Sequence, residues 1–315
     1  MKLKYILLAV TMMVPILLWV GCEEKDESNN YIGCNVVEVD TERGPCTESL
    51  PYANEVAIAT VGSLIRITAN NIPQHSVGVF GDGNPGFLNP NEITPQNSTY
   101  EIDLTPSQAS SITQLLDNGP GYSFGILFNG VEVDPVAAEP WPHTKPFTPN
   151  HNWEWNLEAS MVDIGLDCNN AHVQPTGKYH YHGVPSLYLE SLSSSLTDML
   201  HLGYAADGFP IYYSLAYTFA HDSDSELTTL VPSYQLKSGE RPGDGSSAPC
   251  GEYTGVYTAD YEYVAGLGDL DECNGREGVT PEFAGGTYYY VITDSYPGIP
   301  RCFVGTPSQD FKIGP

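Results

Sequence analysis

Apolar and polar positions along this chain alternate in short runs, and sustained helical periodicity is rare. Two runs, V-A-I-A-T-V from Val56 and L-I-R-I-T-A up to Ala69, flank Gly62 and Ser63 and predict a β-hairpin. Tyr122 to Phe128 predicts another strand, closed by the turn pair Asn129 and Gly130. Tyr179, His180, Tyr181 and His182 alternate two residue types, so a strand there sends both tyrosines to one face and both histidines to the other. Two stretches read as helix. Thr105, Pro106, Ser107 and Gln108 form a capping box with proline at the first helical position, followed by Ile112, Leu115, Leu116 and a stop at Gly119. Tyr188, Leu192, Leu196 and Leu200 recur every four residues between Pro185 and a stop at Gly203. Gly81 to Pro95, His221 to Glu226 and Arg241 to Pro249 read as loops. Glu139 to Asn156 holds three tryptophans, His143 and His151 among four prolines. Prolines exclude a helix interior and a central strand, so this segment is expected to be an ordered loop or cover, its tryptophans either packing the core or stacking on a ligand.

With 31 Gly, 25 Pro and 21 Tyr, the composition agrees with that pattern. The expected fold class is mainly β, β-rich with a few short helices, in a compact disulfide-containing domain. The formal charge is −27 with only 12 Lys plus Arg, which disfavours nucleic acid and anionic membrane surfaces as partners because their phosphates need basic contacts. Acidic surfaces are also soluble surfaces, and they are compatible with cations.

Lys2 and Lys4 precede an apolar run from Tyr5 to Val20 that ends at Gly21 and Cys22, and this start resembles a bacterial lipoprotein signal peptide. Trp19 stands where leucine is usual, so a plain secretory signal is the alternative. Residues 1–21 are then a signal, Cys22 is the lipidated N-terminus, and residues 22–54 are an acidic tether with a small cysteine loop. The expected location is outside the cytoplasm, lipid-anchored to a bacterial outer membrane or cell surface, with envelope lipid as the partner of Cys22. Six cysteines remain, an even number that reads as three disulfides in an oxidising compartment. Fifteen pairings are open; the local expectation is Cys34 with Cys46, and the long-range one is Cys168 with Cys273 and Cys250 with Cys302.

The candidate chemistry sits between Leu166 and Pro185. His180 and His182 on one strand face make a two-pronged ligand set, and Pro175, Thr176 and Gly177 are a turn that would fold His172 back toward them. Three imidazoles suffice for a site with an open coordination position, and Zn and Cu are the ions that suit them best. The alternative is a structural His-x-His strand whose rings satisfy buried carbonyls. Asp207, before Gly208, offers a carboxylate as metal ligand, as a hydrogen-bond partner of a ligating imidazole, or as a turn cap. The chain has no nucleophile elbow, Walker loop, dinucleotide fingerprint or H-E-x-x-H motif.

The Y-H-Y-H tetrapeptide resembles the signature of the YHYH-domain proteins, a family of secreted or surface proteins without an established activity. The blocks N-I-P-Q-H ending at His75, N-P-N from Asn89, N-G-V from Asn129, D-G-F-P-I-Y from Asp207 and L-D-E-C-N-G-R from Leu270 are similar to the family's other blocks, in order. The resemblance runs from Val56 to Phe311 and implies a YHYH domain over residues 55–315. It departs at Ala171, where the family has glycine before the histidine, and at Tyr213, where it has glycine. On this resemblance His75 joins His172, His180 and His182 as a candidate ligand. The leading function is therefore a metal-binding envelope lipoprotein; a glycan-binding or adhesion module and a metal-dependent hydrolase or oxidase are the alternatives. A second copy of the signature also runs near the end: Leu270, Asp271, Cys273, Asn274 and Arg276, then Gly286 and Tyr288 to Tyr290, follow the plan of Leu166, Asp167, Cys168, Asn169 and His172, then Gly177 and Tyr179 to Tyr181. Either the fold holds two related β units, of which only the first carries imidazoles, or the likeness is chance in a Tyr- and Gly-rich chain.

Overall fold

The computed structural model describes Cys34, residues 37–193 and residues 196–313; Cys22, the expected signal and the first part of the expected tether lie outside the described residues. Strands β1 (Val56–Val61), β2 (Leu64–Ala69) and β3 (Ser98–Asp103) form an antiparallel sheet whose first two members are the expected hairpin. There follow β4 (Thr113–Gln114), β5 (Gly125–Leu127), β6 (Glu132–Val133), β7 (Val136–Trp141), β8 (Asn152–Glu158), β9 (Ala171–Val173) and β10 (Tyr179–Tyr181). After α1 (Ser186–Leu192) come β11 (His201–Ala205), β12 (Pro210–Tyr213), β13 (Leu215–Tyr217), β14 (Leu227–Thr229), β15 (Tyr234–Leu236) and β16 (Tyr261–Tyr263). The chain closes with β17 (Gly275–Gly278), β18 (Thr287–Ile292) and β19 (Cys302–Phe303). It is β-rich, with one short α-helix among the described residues.

Eight strands make the central sheet, in the order β17-β18-β12-β11-β5-β6-β10-β9. Its two halves are related by a pseudo-two-fold between β5 and β11. In the first half β9 pairs antiparallel with β10, β10 parallel with β6, and β6 antiparallel with β5. The second half repeats this with β17, β18, β12 and β11. The central pairing is itself symmetric, Gly203 facing Leu127, Tyr204 facing Ile126 and Ala205 facing Gly125. At this seam Gly125 and Gly203 are equivalent and both are required: a Cβ on Gly125 would overlap the Tyr204 carbonyl, and one on Gly203 the Ile126 carbonyl.

Hydrogen bonds repeat residue for residue. Asn129 and Asp207 hold equivalent turns, the first donating to the Tyr181 hydroxyl at 2.8 Å and the second accepting from the Tyr290 hydroxyl at 2.5 Å. Asp167 accepts from the Tyr179 hydroxyl and Asp271 from Tyr288. Asn170 and Asn274 both turn the chain at positive φ, 53° and 52°. His172 pairs with His180 as Arg276 pairs with Tyr289, and the backbone N–H groups of His182 and Val291 reach the carbonyls of Asn170 and Asn274. The two related units of the sequence are thus one architecture used twice. One detail differs from the sequence alignment: counting from the paired aspartates, Cys168 corresponds to Glu272 and Asn169 to Cys273, so the cysteines of the two units do not coincide.

The tyrosine side of the sheet faces the main core, where Tyr179, Tyr181 and Tyr290 are fully buried with Val133, Ala171, Ile211 and Phe124. On the other side, the second half packs Tyr212, Tyr289 and Val291 against Met199, Leu230 and Leu270. The corresponding side of the first half carries the histidines.

Several sequence expectations are corrected. The stretch after Thr105 is not helical. The Thr105 hydroxyl donates to Asp103, and the N–H groups of Ala109 and Leu115 bond the Val304 and Arg301 carbonyls, so the segment lies along the C-terminal strand β19. The helix from Pro185 ends at Leu192, because Leu200 to Gly203 are needed by the central strand β11. Glu139 to Asn156 contributes to a two-stranded ladder, β7 with β8, whose register breaks around Pro140; β8 is bridged beyond by Leu157 to Tyr257, so Pro140 lies on the outer strand β7, where a missing N–H is tolerated. Trp141 and Trp155 fill a small core of their own with Leu157, Val162 and Tyr257.

Three disulfides are present, but as Cys34–Cys250, Cys46–Cys168 and Cys273–Cys302, none of the expected pairs. The segment around Gly44 does not close a local loop. It runs parallel to Asp167 along the edge of the first unit, with Arg43 bonded to Asn170 and Ser160, which delivers Cys46 to Cys168.

Candidate metal centre

Alternation along β10 and its antiparallel pairing with β9 place His172, His180 and His182 on one side of the sheet. Their Nε2 atoms converge: 2.9 Å separates those of His180 and His182, and 3.0 Å those of His182 and His172. All three ligand nitrogens lie within 4.8 Å of one another, the one such grouping of histidine, cysteine or acidic side chains among the described residues. His180 and His182 are buried, and His172 is half-buried, so the cluster is approached from the His172 side.

The backbone fixes the tautomers. Nδ1 of His172 lies 2.9 Å from the Ile164 carbonyl, and Nδ1 of His180 lies 3.4 Å from the Lys178 carbonyl. Each ring therefore keeps its proton on Nδ1 and turns an Nε2 lone pair toward the shared point, an assignment that follows from the partners. A neutral imidazole nitrogen carries either a proton or a lone pair. Nε2 of His182, with two lone pairs facing it, satisfies one of them as a donor and leaves the other opposed. Its own Nδ1 is buried without a hydrogen bond. One cation at the centre satisfies all three nitrogens. A tetrahedral ion with Zn–N bonds of about 2.0–2.1 Å separates its nitrogens by about 3.4 Å, so the His180–His182 and His182–His172 pairs need spread only a few tenths of an ångström.

Electrostatics keep the rings neutral. Burial holds His180 and His182 well below the ordinary imidazole range; the charges of His172 and Lys178 add to this at His180, and those of His172, His180 and Arg301 at His182, where the Pro135 carbonyl opposes it. Burial also lowers His172, with the Ile164 carbonyl opposing and Lys145 adding. No ring thus takes up a second proton at neutral and mildly acidic pH, and an ion need displace only the single proton held between the rings. The neighbouring acids are engaged elsewhere or held back. Glu132, in register with His180, bonds both of its oxygens to Lys178 at 2.8 Å. Burial, and then the charge of Glu132, push Asp134 up to about 7, and its Oδ1 has no partner.

Because the unfolded chain has ordinary histidines near pH 6.5, it binds more protons than the folded one below that value. The stability associated with the neutral rings is complete above about pH 6.5 and is lost as pH falls below it, by up to about 1.4 kcal/mol per pH unit for each ring. Asp134 acts in the opposite sense. Its folded form prefers the proton, so the stability it withholds at high pH returns as pH falls through about 7. The metal-free protein compared with a His182→Val variant isolates the imidazole contribution: the difference in urea-unfolding free energy is expected to shift in favour of the variant as pH is lowered from 7 to 5.

The structure does not bring His75 or Asp207 to this point. His75 lies on the tyrosine side, where its Nε2 meets the Tyr181 hydroxyl at 2.6 Å and its Nδ1 the Ser76 carbonyl at 2.8 Å. Asp207 belongs to the second unit. It accepts from Tyr290 and from the Gly305 N–H, and its burial raises it to about 6. Asp207→Asn, which installs the residue already found at the equivalent Asn129, is expected to cost about 1–3 kcal/mol, because Nδ2 in the place of Oδ2 cannot accept from the Gly305 N–H, and to leave metal uptake unaltered, checked by thermal unfolding and metal analysis. His143 stacks on Tyr257 and His151 bonds Thr144 and Thr148, both within the tryptophan cover. Glu132 and Asp134 were not anticipated, although their alternation with Val131 and Val133 carries the same period-two signal as the histidines.

A family model described as YHYH protein matches residues 99–305. No curated protein and no solved structure matches the chain.

Proposed function

We propose, from the premise that this chain belongs to the YHYH protein family, that its first β unit is a transition-metal-binding site held by His172, His180 and His182. The observation that carries the reading is the convergence of three Nε2 atoms, two of them presented as lone pairs because the Ile164 and Lys178 carbonyls hold the proton on Nδ1 of His172 and His180. The internal duplication supports it. Equivalent positions in the second unit hold Arg276, Tyr289 and Val291, two of them in an apolar cluster, so this scaffold has no need of imidazoles there. The three ligands are neutral nitrogen donors, the set that suits Zn or Cu, and their half-buried side leaves a further coordination position. A metal there supplies Lewis acidity; the protein supplies the fixed rings and the dry wall around two of them.

In this reading the protein works outside the cytoplasm, tethered through Cys22 to envelope lipid. Three cross-links in a chain of this size suit an oxidising compartment, and the acidic composition suits attraction of cations. The test is metal analysis of the purified chain after loading with Zn or Cu and removal of free ion. One ion per chain in the wild type, and none in the His180→Gln/His182→Gln double variant, is the expected result. No retained ion in a folded wild type would overturn the reading in favour of a structural His-x-His strand.

A further inference from the structure

A cleft of about 420 Å³ opens beside the metal-site half of the sheet, its walls formed by Trp153, Tyr234, Tyr261, Tyr296 and Arg301. It falls within the roughly 300–1,000 Å³ typical of small-ligand sites. Two features distinguish it from an incidental groove. Its rings are ordered against each other: Tyr261 and Tyr296 stack at 3.7 Å and 5°, and Tyr234 meets Tyr296 edge-on at 5.4 Å. Its buried cation is also incompletely satisfied. Arg301 pairs with Glu158 and bonds the Pro135 and Pro297 carbonyls, yet its Nε is buried without an acceptor, and Oε2 of Glu158 behind it is buried without a donor.

The geometry points to a neutral saccharide as the occupant. Aromatic faces suit the apolar faces of sugar rings, and carboxylates and amides suit hydroxyl groups, which both donate and accept. The rim adds side-chain carboxylates and amides from Gln114, Asp117, Asn118 and Glu154. Charge decides against anions: Arg301 is already neutralised by Glu158, and Asp117 and Glu154 repel them. This inference does not depend on the metal. Of the three tryptophans considered from the sequence, only Trp153 lines the cleft; Trp141 and Trp155 are buried in their own core.

The experiment is calorimetric titration of the metal-free chain with cellobiose, maltose and chitobiose, with a galacturonic acid disaccharide as the charged comparison. Saturable binding of at least one neutral disaccharide is expected, weakened about tenfold or more by Trp153→Ala. Asp117→Ala, a change at an exposed rim position, is expected to weaken it as well and decides the matter should the tryptophan variant not fold. Absence of binding by every neutral sugar, binding only of the acidic one, or affinity undiminished in every folded variant would overturn the inference.

Discussion

His182→Val is expected to abolish metal retention while leaving the metal-free protein about as stable as before. Loss of an outer hydrogen-bond partner alone weakens metal sites about 10- to 100-fold, and loss of one of three ligands is expected to exceed that. Stability is spared for a specific reason. His182 buries an Nδ1 with no hydrogen bond and an Nε2 caught between two lone pairs, and an unsatisfied buried polar group costs about 1–3 kcal/mol. Valine removes both penalties, and Val291 shows that the backbone accepts valine at the equivalent position of the second unit. Some of the gain is offset by the smaller volume of valine and by the neighbouring Nε2 that loses its donor, so a net change within about 1 kcal/mol of wild type is expected. Urea unfolding of metal-free wild type and variant measures it. A variant that loses several kcal/mol while still binding metal would mean that the imidazoles serve the fold.

Arg301→Met is expected to destabilise the chain by about 3–5 kcal/mol, because it leaves the fully buried Glu158 carboxylate without its cation. The guanidinium joins strand β8 to the Pro135 and Pro297 carbonyls, behind the metal site and in the wall of the cleft. Glu158→Gln is the milder change, since Ser160 still donates to the side chain at 2.8 Å. Combining Arg301→Met with Glu158→Leu is expected to recover much of the loss, as apolar replacement of both partners of a buried pair commonly does. Chemical denaturation of the three variants measures the coupling. A single Arg301→Met variant within 1 kcal/mol of wild type would show that the pair is not held as described.

Much of the site was legible because a strand has a period of two. That rule alone put His180 and His182 on one side with the tyrosines opposite, and the turn at Pro175 to Gly177 returned His172 to face them. The same rule has no force for a histidine in a loop. His75 was grouped with the others through its sequence block, and only the three-dimensional path of Asn70 to Ser76 shows that it reaches the hydroxyl of Tyr181 from the core side. Of the roles open to Asp207 the turn cap holds and the metal ligand does not, for a related reason: its place in the fold is set by an equivalent, Asn129, that lies 78 residues earlier and differs in type.

The duplication was half visible. The copies share the aspartate turn and the tyrosine alternation near Leu166 and Leu270, but the seam strands share little beyond glycines spaced five apart, Gly125 and Gly130 against Gly203 and Gly208. Disulfide pairing was not legible, since it depends on where the topology delivers each cysteine. The false helix at Thr105 had correct local signals; they were overridden by a C-terminal strand nearly 200 residues away that captures the same backbone groups.

X-ray absorption at the edge of the bound metal, on the Zn- or Cu-loaded chain, tests the central claim most directly. Three imidazole nitrogens at about 2.0–2.1 Å, falling to fewer in a His172→Ala variant, are the predicted result for Zn. A shell of oxygen atoms alone, or an imidazole count unchanged in that variant, would contradict it.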